Sequence, residues 1–214
     1  MASVRNILVG AASVFVSASS TQNPDTPAAT LPTLSSGVSA NTTVGASANW
    51  RDVGYTNNGL ELSYEPDFGE VAVDQILDAA RLFKQGQKVM LRTEFAEATL
   101  ENLFVVMNQT SGYDTDNAKK ENGTNINGVQ NAVEIQGGNL GDYPVERSIV
   151  AVGQGPRPTS GNSERVYYGA RAMSMEASSH GQKRNEATFF PVTFRLLPLA
   201  STSNAYGKIV DRTF

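Results

Sequence analysis

The sequence has no cysteine and one histidine among its 214 residues. The absence of cysteine excludes disulfide bonds, zinc–thiolate sites and a cysteine nucleophile. A serine–histidine–aspartate triad would have to use His180, which lies in a Ser-Ser-His-Gly-Gln segment far from any nucleophile-elbow sequence. We therefore interpret His180 as a loop residue, and we expect that the protein is not an enzyme.

Charged residues are also few. They make up 18% of the chain, and the net charge is −4 at pH 7. Nucleic-acid-binding domains carry a basic surface, so this composition argues against specific binding to DNA or RNA. An acidic surface would instead let a phosphate backbone pass without adhering to it.

No hydrophobic run reaches the roughly 18 residues that a membrane-spanning helix needs. The N-terminal segment has two interpretations. Arg5, the apolar residues 7–16 and the following Ser-Ala-Ser-Ser resemble a secretory signal. The alternation of side chains over 13–17 favours instead a first β-strand at 4–16. A secretory signal, together with Asn-X-Thr sequons at Asn41, Asn108 and Asn122, would suit a secreted β-sandwich adhesin or carbohydrate-binding module, which is our alternative hypothesis.

Turn-forming residues are abundant and separate short segments of period-two alternation. This pattern predicts a mainly β protein, a sandwich or barrel, in a single domain over 1–214. A low-complexity arm or loop covers 17–48, and a polar insertion covers 109–147. Besides the first strand, strands are predicted at 60–65, 70–74, 88–95, 132–135, 148–152, 166–175, 188–197 and 207–212.

One helix is predicted among these strands. Apolar residues at i, i+3, i+4 and i+7 run from Leu100 to Met107 and form one stripe. Glu97 and Glu101 lie near the N-terminal end, where the helix dipole favours carboxylates. Asn108 fits a left-handed residue at the C-terminal end. We expect this helix to cover an open side of the sheet.

Two turn signals precede a segment with two possible local structures. Asn-Asn-Gly at 57–59 and Pro-Asp-Phe-Gly at 66–69 both predict turns. The strands at 60–65 and 70–74 would then form a hairpin with an acidic outer face. Residues 75–87 fit either a short amphipathic helix or a projecting loop.

Charges of opposite sign are separated along this part of the chain. Two interpretations remain open: two solvated strand faces, or a bipolar element whose acidic part lines a channel or meets the basic part of the next subunit. The acidic run comprises Glu61, Glu65, Asp67, Glu70, Asp74 and Asp78, and the basic run comprises Arg81, Lys84, Lys88 and Arg92.

Six segments carry a wider pattern. They are Asn-Ile-Leu-Val-Gly-Ala at 6–11, Val-Gly-Tyr-Thr-Asn-Asn-Gly-Leu-Glu-Leu at 53–62, Val-Asp-Gln at 73–75, Arg-Thr-Glu-Phe-Ala-Glu-Ala-Thr-Leu-Glu-Asn-Leu at 92–103, Phe-Pro-Val-Thr-Phe at 190–194, and Tyr-Gly-Lys-Ile-Val-Asp-Arg at 206–212. In these segments the chain resembles the tail tube proteins (major tail proteins) of long-tailed bacteriophages. The resemblance does not extend to 17–48 or 109–147.

The resemblance implies a β-sandwich of the tail-tube type with one flanking α-helix. Its inner hairpins would form a continuous barrel in a hexameric ring, and rings would stack into a hollow conduit for genomic DNA. It implies no cofactor, no metal and no membrane insertion. It places the protein in the virion after assembly in the host cytoplasm.

The resemblance also implies partners and site residues. The partners would be further copies of the chain, a tape measure protein in the lumen, tail terminator and baseplate or tail-tip proteins, DNA that passes without specific binding, and a sheath protein if the tail is contractile. The candidate lumen or interface residues are Glu61, Glu65, Glu70 and Asp74, and the candidate inter-ring loop, within 75–88, includes Arg81, Lys84 and Lys88.

Overall fold

Antiparallel strands make up most of the protein, and the mainly β prediction is confirmed. The computed structural model describes residues 10–17, 43–44, 50–108, 113–114, 120–121, 124–125, 132–133, 135, 137, 139–141, 145–156, 163–176, 178–199 and 205–213. Most of the predicted arm at 17–48 and insertion at 109–147 therefore lies outside the described residues, as do residues 4–9 of the predicted first strand. In chain order the elements are β1 (Ala12–Ser17), β2 (Thr43–Val44), β3 (Trp50–Asp52), β4 (Thr56–Val71), β5 (Arg81–Phe95), α1 (Leu100–Val106), β6 (Tyr113–Asp114), β7 (Lys120–Glu121), β8 (Thr124–Asn125), β9 (Ala132–Val133), β10 (Arg147–Gln154), β11 (Ser163–Ser174), β12 (Phe190–Leu197) and β13 (Gly207–Thr213).

One large sheet contains nine of these strands. Eight follow the order β2-β3-β1-β10-β11-β12-β5-β4, and β13 pairs with β11. Strand β11 shares one edge between two partners: residues 163–169 pair with β13, and residues 171–174 pair with β12. The sheet therefore forks near Ala170. The sheet is open rather than closed into a barrel within the chain.

The centre of the sheet is buried on both faces. On β1, Val14 and Val16 belong to one core cluster with Phe95 of β5, whereas Phe15 belongs to a second cluster with Trp50. Side chains alternate between the two faces of a strand, so a strand that is covered on both sides needs a continuous apolar run. This explains the predicted strand at 148–152, whose successive residues divide between the two clusters.

Helix α1 begins and ends where the sequence predicted. The Thr99 side chain caps it by accepting a hydrogen bond from the Asn102 backbone N–H at 3.3 Å, and Asn108 has a positive φ of 55°. The predicted apolar stripe is rotated, however. The buried residues are Asn102, Val105 and Val106, while Leu103 is only partly buried. Asn102, whose hydrogen bonds are described below, is the most deeply buried residue of the helix.

Two turns predicted in the region before the helix, at 57–59 and 66–69, are wrong. Residues 66–69 continue β4, which pairs with β5 along its whole length, so the hairpin is formed by β4 and β5. Pro66 is tolerated because β4 is the edge strand at one end of the strand order. On the free side of an edge strand, no hydrogen bond of the ladder requires a backbone N–H. The register shifts between Asp67 and Phe68, where Gln85 is the extra residue of β5, and a Cβ on Gly69 would collide with the Gln85 side chain.

The Asn-Asn-Gly segment is also part of β4 rather than a turn. The register shifts between Asn57 and Leu60, and Asn58 and Gly59 have φ values of 57° and 69°. These residue types do supply the positive φ that the sequence indicated, but at a β-bulge. Residues 81–87, for which we considered a helix or a loop, belong to β5. The connecting loop is residues 72–80.

Burial differs sharply between the two ends of this hairpin, which gives a test of the fold. Phe95 at its root is fully buried against Phe194, with ring centroids 6.3 Å apart, whereas Phe68 in its outer half is 55% exposed. Phe95→Ala is expected to lower the free energy of unfolding of the monomer by about 3–5 kcal/mol. Phe68→Ala is the control, with an expected change below about 0.5 kcal/mol. Urea denaturation measures both, and equal losses would contradict the assignment.

Candidate functional site

The β4–β5 hairpin is the candidate functional site because it projects from the core. The pairing runs from Thr56 opposite Phe95 to Val71 opposite Arg81. An antiparallel strand rises about 3.4 Å per residue, so the 16 residues of β4 span roughly 50 Å. Only the root of the hairpin reaches the core, and beyond Tyr64 nearly all its side chains are exposed. A long two-stranded ribbon on its own is only marginally stable in water.

The outer half of the hairpin exposes large apolar side chains. Several of them occur on both faces of the ribbon, so packing within one copy cannot cover them. Isolated exposed apolar residues are ordinary, but a concentration of them marks an interaction surface. Those more than 40% exposed are Tyr64, Phe68, Val71, Ile76, Leu77, Leu82 and Phe83.

The backbone of β4 forms a free edge. In the part of the chain that the structure describes, β4 has only β5 as a hydrogen-bonded neighbour strand. Every second N–H and C=O along the other side therefore faces outward over the length of the strand. A long edge strand with apolar side chains pairs readily with another strand.

A hydrogen-bonded cluster around Asn102, which we call the root cluster, holds the base of the hairpin. Asn102 is completely buried. Its Nδ2 donates to the carbonyls of Val53 at 2.8 Å and Glu97 at 2.9 Å, and its Oδ1 accepts from the Arg51 guanidinium at 2.8 Å. One side chain thereby connects β3, the segment before β4 and the segment after β5.

Glu97 extends the root cluster to the residues that immediately precede β4. Its carboxylate accepts from the Tyr55 backbone N–H at 3.1 Å, and the Ala96 backbone N–H donates to the Tyr55 carbonyl at 2.8 Å. Gly54 has a φ of 84°, and a Cβ there would lie 2.2 Å from the Glu97 carboxylate. Only glycine meets both requirements at this position.

Asp52, next to the root cluster, has a carboxyl group whose pKa is shifted by its surroundings. Burial raises the pKa of its carboxyl above 3.8, and nearby Glu97 acts in the same direction. The hydrogen bond from the Gly54 N–H, at 2.9 Å, and the charge of Arg51 oppose this increase in pKa only in part.

Side chains of the bulge add further contacts across the root. The Asn57 Nδ2 donates to the Glu94 carboxylate at 2.8 Å, and the Thr93 hydroxyl donates to the Gly59 carbonyl at 2.9 Å. The segments 53–62 and 92–103 therefore meet in space. Their polar residues hold the hairpin root together.

The predicted acidic stripe does not lie on one face. Alternation along β4 puts Glu61 and Glu65 on one face and Glu70 on the other, and Asp74 lies in the loop. Arg81, Lys84 and Lys88 lie in β5, so the prediction of an inter-ring loop containing them is wrong in its local structure. The turn assumed at 66–69 caused the first of these errors.

The acidic and basic runs lie side by side within the same hairpin. Glu61 is opposite Arg92, and Glu65 is opposite Lys88. Arg92 also contacts the Glu176 carboxylate at 3.3 Å. The hairpin is thus a ribbon with one acidic strand and one basic strand.

Lys84 makes its contacts within its own copy. Its ammonium group lies 2.9 Å from the Tyr64 hydroxyl and 5.4 Å from the centre of the Tyr64 ring, and it also contacts the Gln87 side-chain oxygen. A charge reversal at Lys84 would therefore disturb the hairpin itself as well as any contact between copies.

Sequence reasoning assigned no role to Asn102 or Gly54, and it considered Glu97 only as a carboxylate near the N-terminal end of the helix. His180 is exposed and its ring packs on Phe190 at 4.8 Å between centroids. Among the described residues, no group of three or more potential ligands could hold a metal ion, and no helix is long and apolar enough to cross a membrane. Comparison of the chain with protein-family models and with characterised proteins found no match.

The donor role of Asn102 can be tested with an isosteric change. Asn102→Asp keeps an acceptor for Arg51 but leaves the Val53 and Glu97 carbonyls without their donor. We expect the free energy of unfolding to fall by about 3 kcal/mol and the Ala96 amide to lose protection from hydrogen exchange. The control is Gln87→Glu, the same chemical change at a partly exposed residue. The Gln87 side-chain oxygen accepts hydrogen bonds, and a carboxylate at this position can accept the same hydrogen bonds. Similar stability of the two variants would rule out the proposed role.

The raised pKa of Asp52 predicts a pH dependence. A carboxyl with a higher pKa in the folded state stabilises the fold at pH values below its unfolded pKa, and this stabilisation is lost as the pH rises through the folded pKa. Asp52→Asn keeps an acceptor for the Gly54 N–H, and we expect it to be more stable than wild type at pH 7. That advantage should shrink as the pH falls toward the model-peptide value of 3.8. Thermal unfolding across this range tests it, and a pH-independent difference would contradict it.

Proposed function

We propose that this chain is the repeating subunit of a phage tail tube, which assembles as stacked hexameric rings into a conduit for DNA. The observation that carries the proposal is the β4–β5 hairpin, with its free edge and its exposed apolar outer half. Added to this is the resemblance of segments 53–62 and 92–103, which together form the hairpin root. The proposed partners are further copies of the chain, the tape measure protein, and the proteins at the two ends of the tail.

The free edge of β4 supports association through strand pairing. A neighbouring copy that adds a strand beside β4 would satisfy its outward N–H and C=O groups and cover Tyr64 and Phe68 in one step. If each copy uses a different surface to accept that edge, the contact is head-to-tail, and repetition around an axis closes a ring. The hairpins would then form one continuous barrel.

The two faces of the hairpin differ in a way that suggests which one faces the lumen. Leu62 and Leu91 lie on the face that continues into the core, while Glu61, Glu65 and Lys88 lie on the other. The residues of the second face belong to neither core cluster, and we assign this face to the lumen. Glu176 lies beside Arg92 on this side, and hydrogen bonding from Thr193 and then Arg92 lowers the pKa of its carboxyl, which keeps it ionised.

A lumen of this kind would carry charges of both signs with an excess of carboxylates. Such a surface has no continuous basic track, so a phosphate backbone would find few strong contacts. This suits DNA that must pass without binding, as the proposed function requires.

Electron microscopy of the purified chain tests the function directly. We expect tubes with a central hole, and a protein that stays monomeric at every concentration would refute the proposal. The double variant Tyr64→Asp with Phe68→Asp should remove tubes while the monomer stays folded, because these side chains are 56% and 55% exposed in a single copy. Met175→Asp is the matched control: Met175 is 53% exposed but lies on the loop after β11, and tubes should persist.

A further inference from the structure

Pro66 interrupts the free edge of β4. From Leu60 to Asp67 the ladder with β5 has no irregularity, and Pro66 lies within it, opposite Gln87. In an antiparallel ladder, alternate residues direct their backbone groups toward the partner strand and away from it. A proline in an unbroken ladder directs its backbone away from the partner, because its nitrogen has no hydrogen to donate. Pro66 therefore faces the free edge.

The same alternation fixes which backbone groups this edge presents. The Val71 carbonyl accepts from the Ala80 N–H at 2.8 Å, so Val71, an odd number of residues beyond Pro66, faces inward. Even-numbered residues of β4 thus face outward, and their row of donors is broken at Pro66. The donors are the N–H groups of Leu62, Tyr64, Phe68 and Glu70.

Strand β5 has a free edge of its own along its outer half. Strand β12 pairs with β5 only over residues 89–95, so residues 81–88 have no second neighbour strand in the part of the chain that the structure describes. Residues directly opposite in an antiparallel pair face either toward each other or away from each other. The residues opposite the outward-facing residues of β4 therefore face this second edge. They are Gln87, Lys84 and Leu82.

Charges of opposite sign lie beside the two edges. Asp67 and Lys88 lie on one face of the ribbon, and Glu70 and Lys84 lie on the other. Within the described residues of one copy, the carboxylates of Asp67 and Glu70 and the ammonium group of Lys88 form no ion pair. A β4 strand from a second copy, laid antiparallel along the β5 edge, would continue the ribbon with each face on its own side. Its carboxylates would then meet the lysines of β5.

One register of this contact pairs both sets of charges and avoids the missing donor. Segment 67–71 of the second copy lies along residues 83–88, and Pro66 falls opposite Val89, where β12 already occupies the edge. Opposite charges directly across a ladder stabilise its register. The pairs across the contact are Asp67 with Lys88, Phe68 with Gln87, and Glu70 with Lys84.

The two neighbouring registers are less favourable. A shift that sets Pro66 opposite Gln87 leaves an outward-facing carbonyl of β5 without a donor. In that register only Glu65 and Lys88 form a pair of opposite charges. A shift the other way, with Glu70 opposite Gln87, pairs none of these charges.

The bulge of β5 fits the favoured register. Two residues, Gln85 and Gly86, separate the outward-facing positions 84 and 87 of β5, whereas Gly69 alone separates positions 68 and 70 of β4. A bulge places two residues of one strand opposite one residue of the other. Gly69 has no side chain that could collide with Gln85 of the neighbouring copy.

We propose that the free edge of β5 binds segment 67–71 of β4 from a second copy, with Asp67 opposite Lys88 and Glu70 opposite Lys84. Pro66 ends the pairing, because it has no donor and because β12 occupies the next part of β5. This inference rests on the proposed tube-forming function. It adds the surface of the neighbour that accepts the β4 edge, and the register of the contact.

Cysteine cross-linking tests the register, since the chain has no native cysteine. Asp67→Cys and Lys88→Cys proteins are prepared separately, mixed, assembled and oxidised, so that no link can form within one copy. In the proposed register these positions are a non-hydrogen-bonded pair with Cα atoms about 4.5 Å apart, which is within disulfide range. We expect a disulfide-linked dimer in the tubes and none in the unassembled fraction.

The control mixture pairs Glu65→Cys with Lys88→Cys. It removes the same two charges from the same face of the ribbon, and its cysteines would be opposite each other only in the register that sets Pro66 against Gln87. We expect little dimer from this mixture.

Charge reversal gives a second readout. Asp67→Lys, or Lys88→Asp, sets like charges across the contact and should raise the critical concentration for assembly roughly tenfold at low salt. The double variant with both changes restores opposite charges and should recover most of the assembly. Both side chains are exposed, so urea denaturation should show monomers about as stable as wild type.

The outcomes separate this inference from the proposed function. Tubes that give the 65–88 dimer in place of the 67–88 dimer, or neither dimer, would overturn the inference and leave the function standing. Normal assembly of both single reversals, or a double variant no better than the single ones, would also overturn it. A wild-type chain that never assembles would remove both.

Discussion

The hydrogen bonds of Asn102 are the constraint on which the rest of the structure depends. This one buried amide joins β3, the chain entering β4 and the chain leaving β5, and it accepts from Arg51. Without it the two strands of the hairpin would still pair with each other, but the segments before β4 and after β5 would lose their shared link to β3 and helix α1. The same amide lies in helix α1, so the helix, the hairpin and the first part of the sheet are oriented together. A buried polar group with all its partners specifies geometry because every alternative arrangement leaves a group unsatisfied.

That constraint explains how a single copy tolerates a poorly covered hairpin. The core at the root, with Phe95, Leu91 and Phe194, stabilises the fold, and the outer half adds little to it. In the proposed assembly, the outer half would therefore be available for contacts with other copies, and the monomer would fold before it assembles. Because acidic β4 lies beside basic β5, the hairpin carries opposite charges at its two edges, and in the proposed assembly a neighbour would be recognised with a defined orientation.

Much of the fold follows from local sequence patterns. The strands at 148–152, 166–175 and 188–197, the helix and the left-handed Asn108 were all predicted, because alternation and capping depend on neighbours in the sequence. The continuation of β4 through Pro66 and Gly69 was not, because it depends on the edge position of the strand and on Gln85 across the ladder. Asn102 was missed for a similar reason: its partner Val53 is 49 residues away, and an asparagine in a helix gives no local sign of such a bond.

The two irregularities in the hairpin have a further geometric effect. Register shifts at Asn58-Gly59 and at Gln85 increase the right-handed twist of the ribbon. Strands in a closed barrel are inclined by about 35–45° to its axis. In the proposed tube, each hairpin would therefore run obliquely, and its rows of side chains would wind around the bore. The inner wall would then carry helical rows of side chains. A molecule that slides along it would rotate as it advances, rather than move straight along the axis.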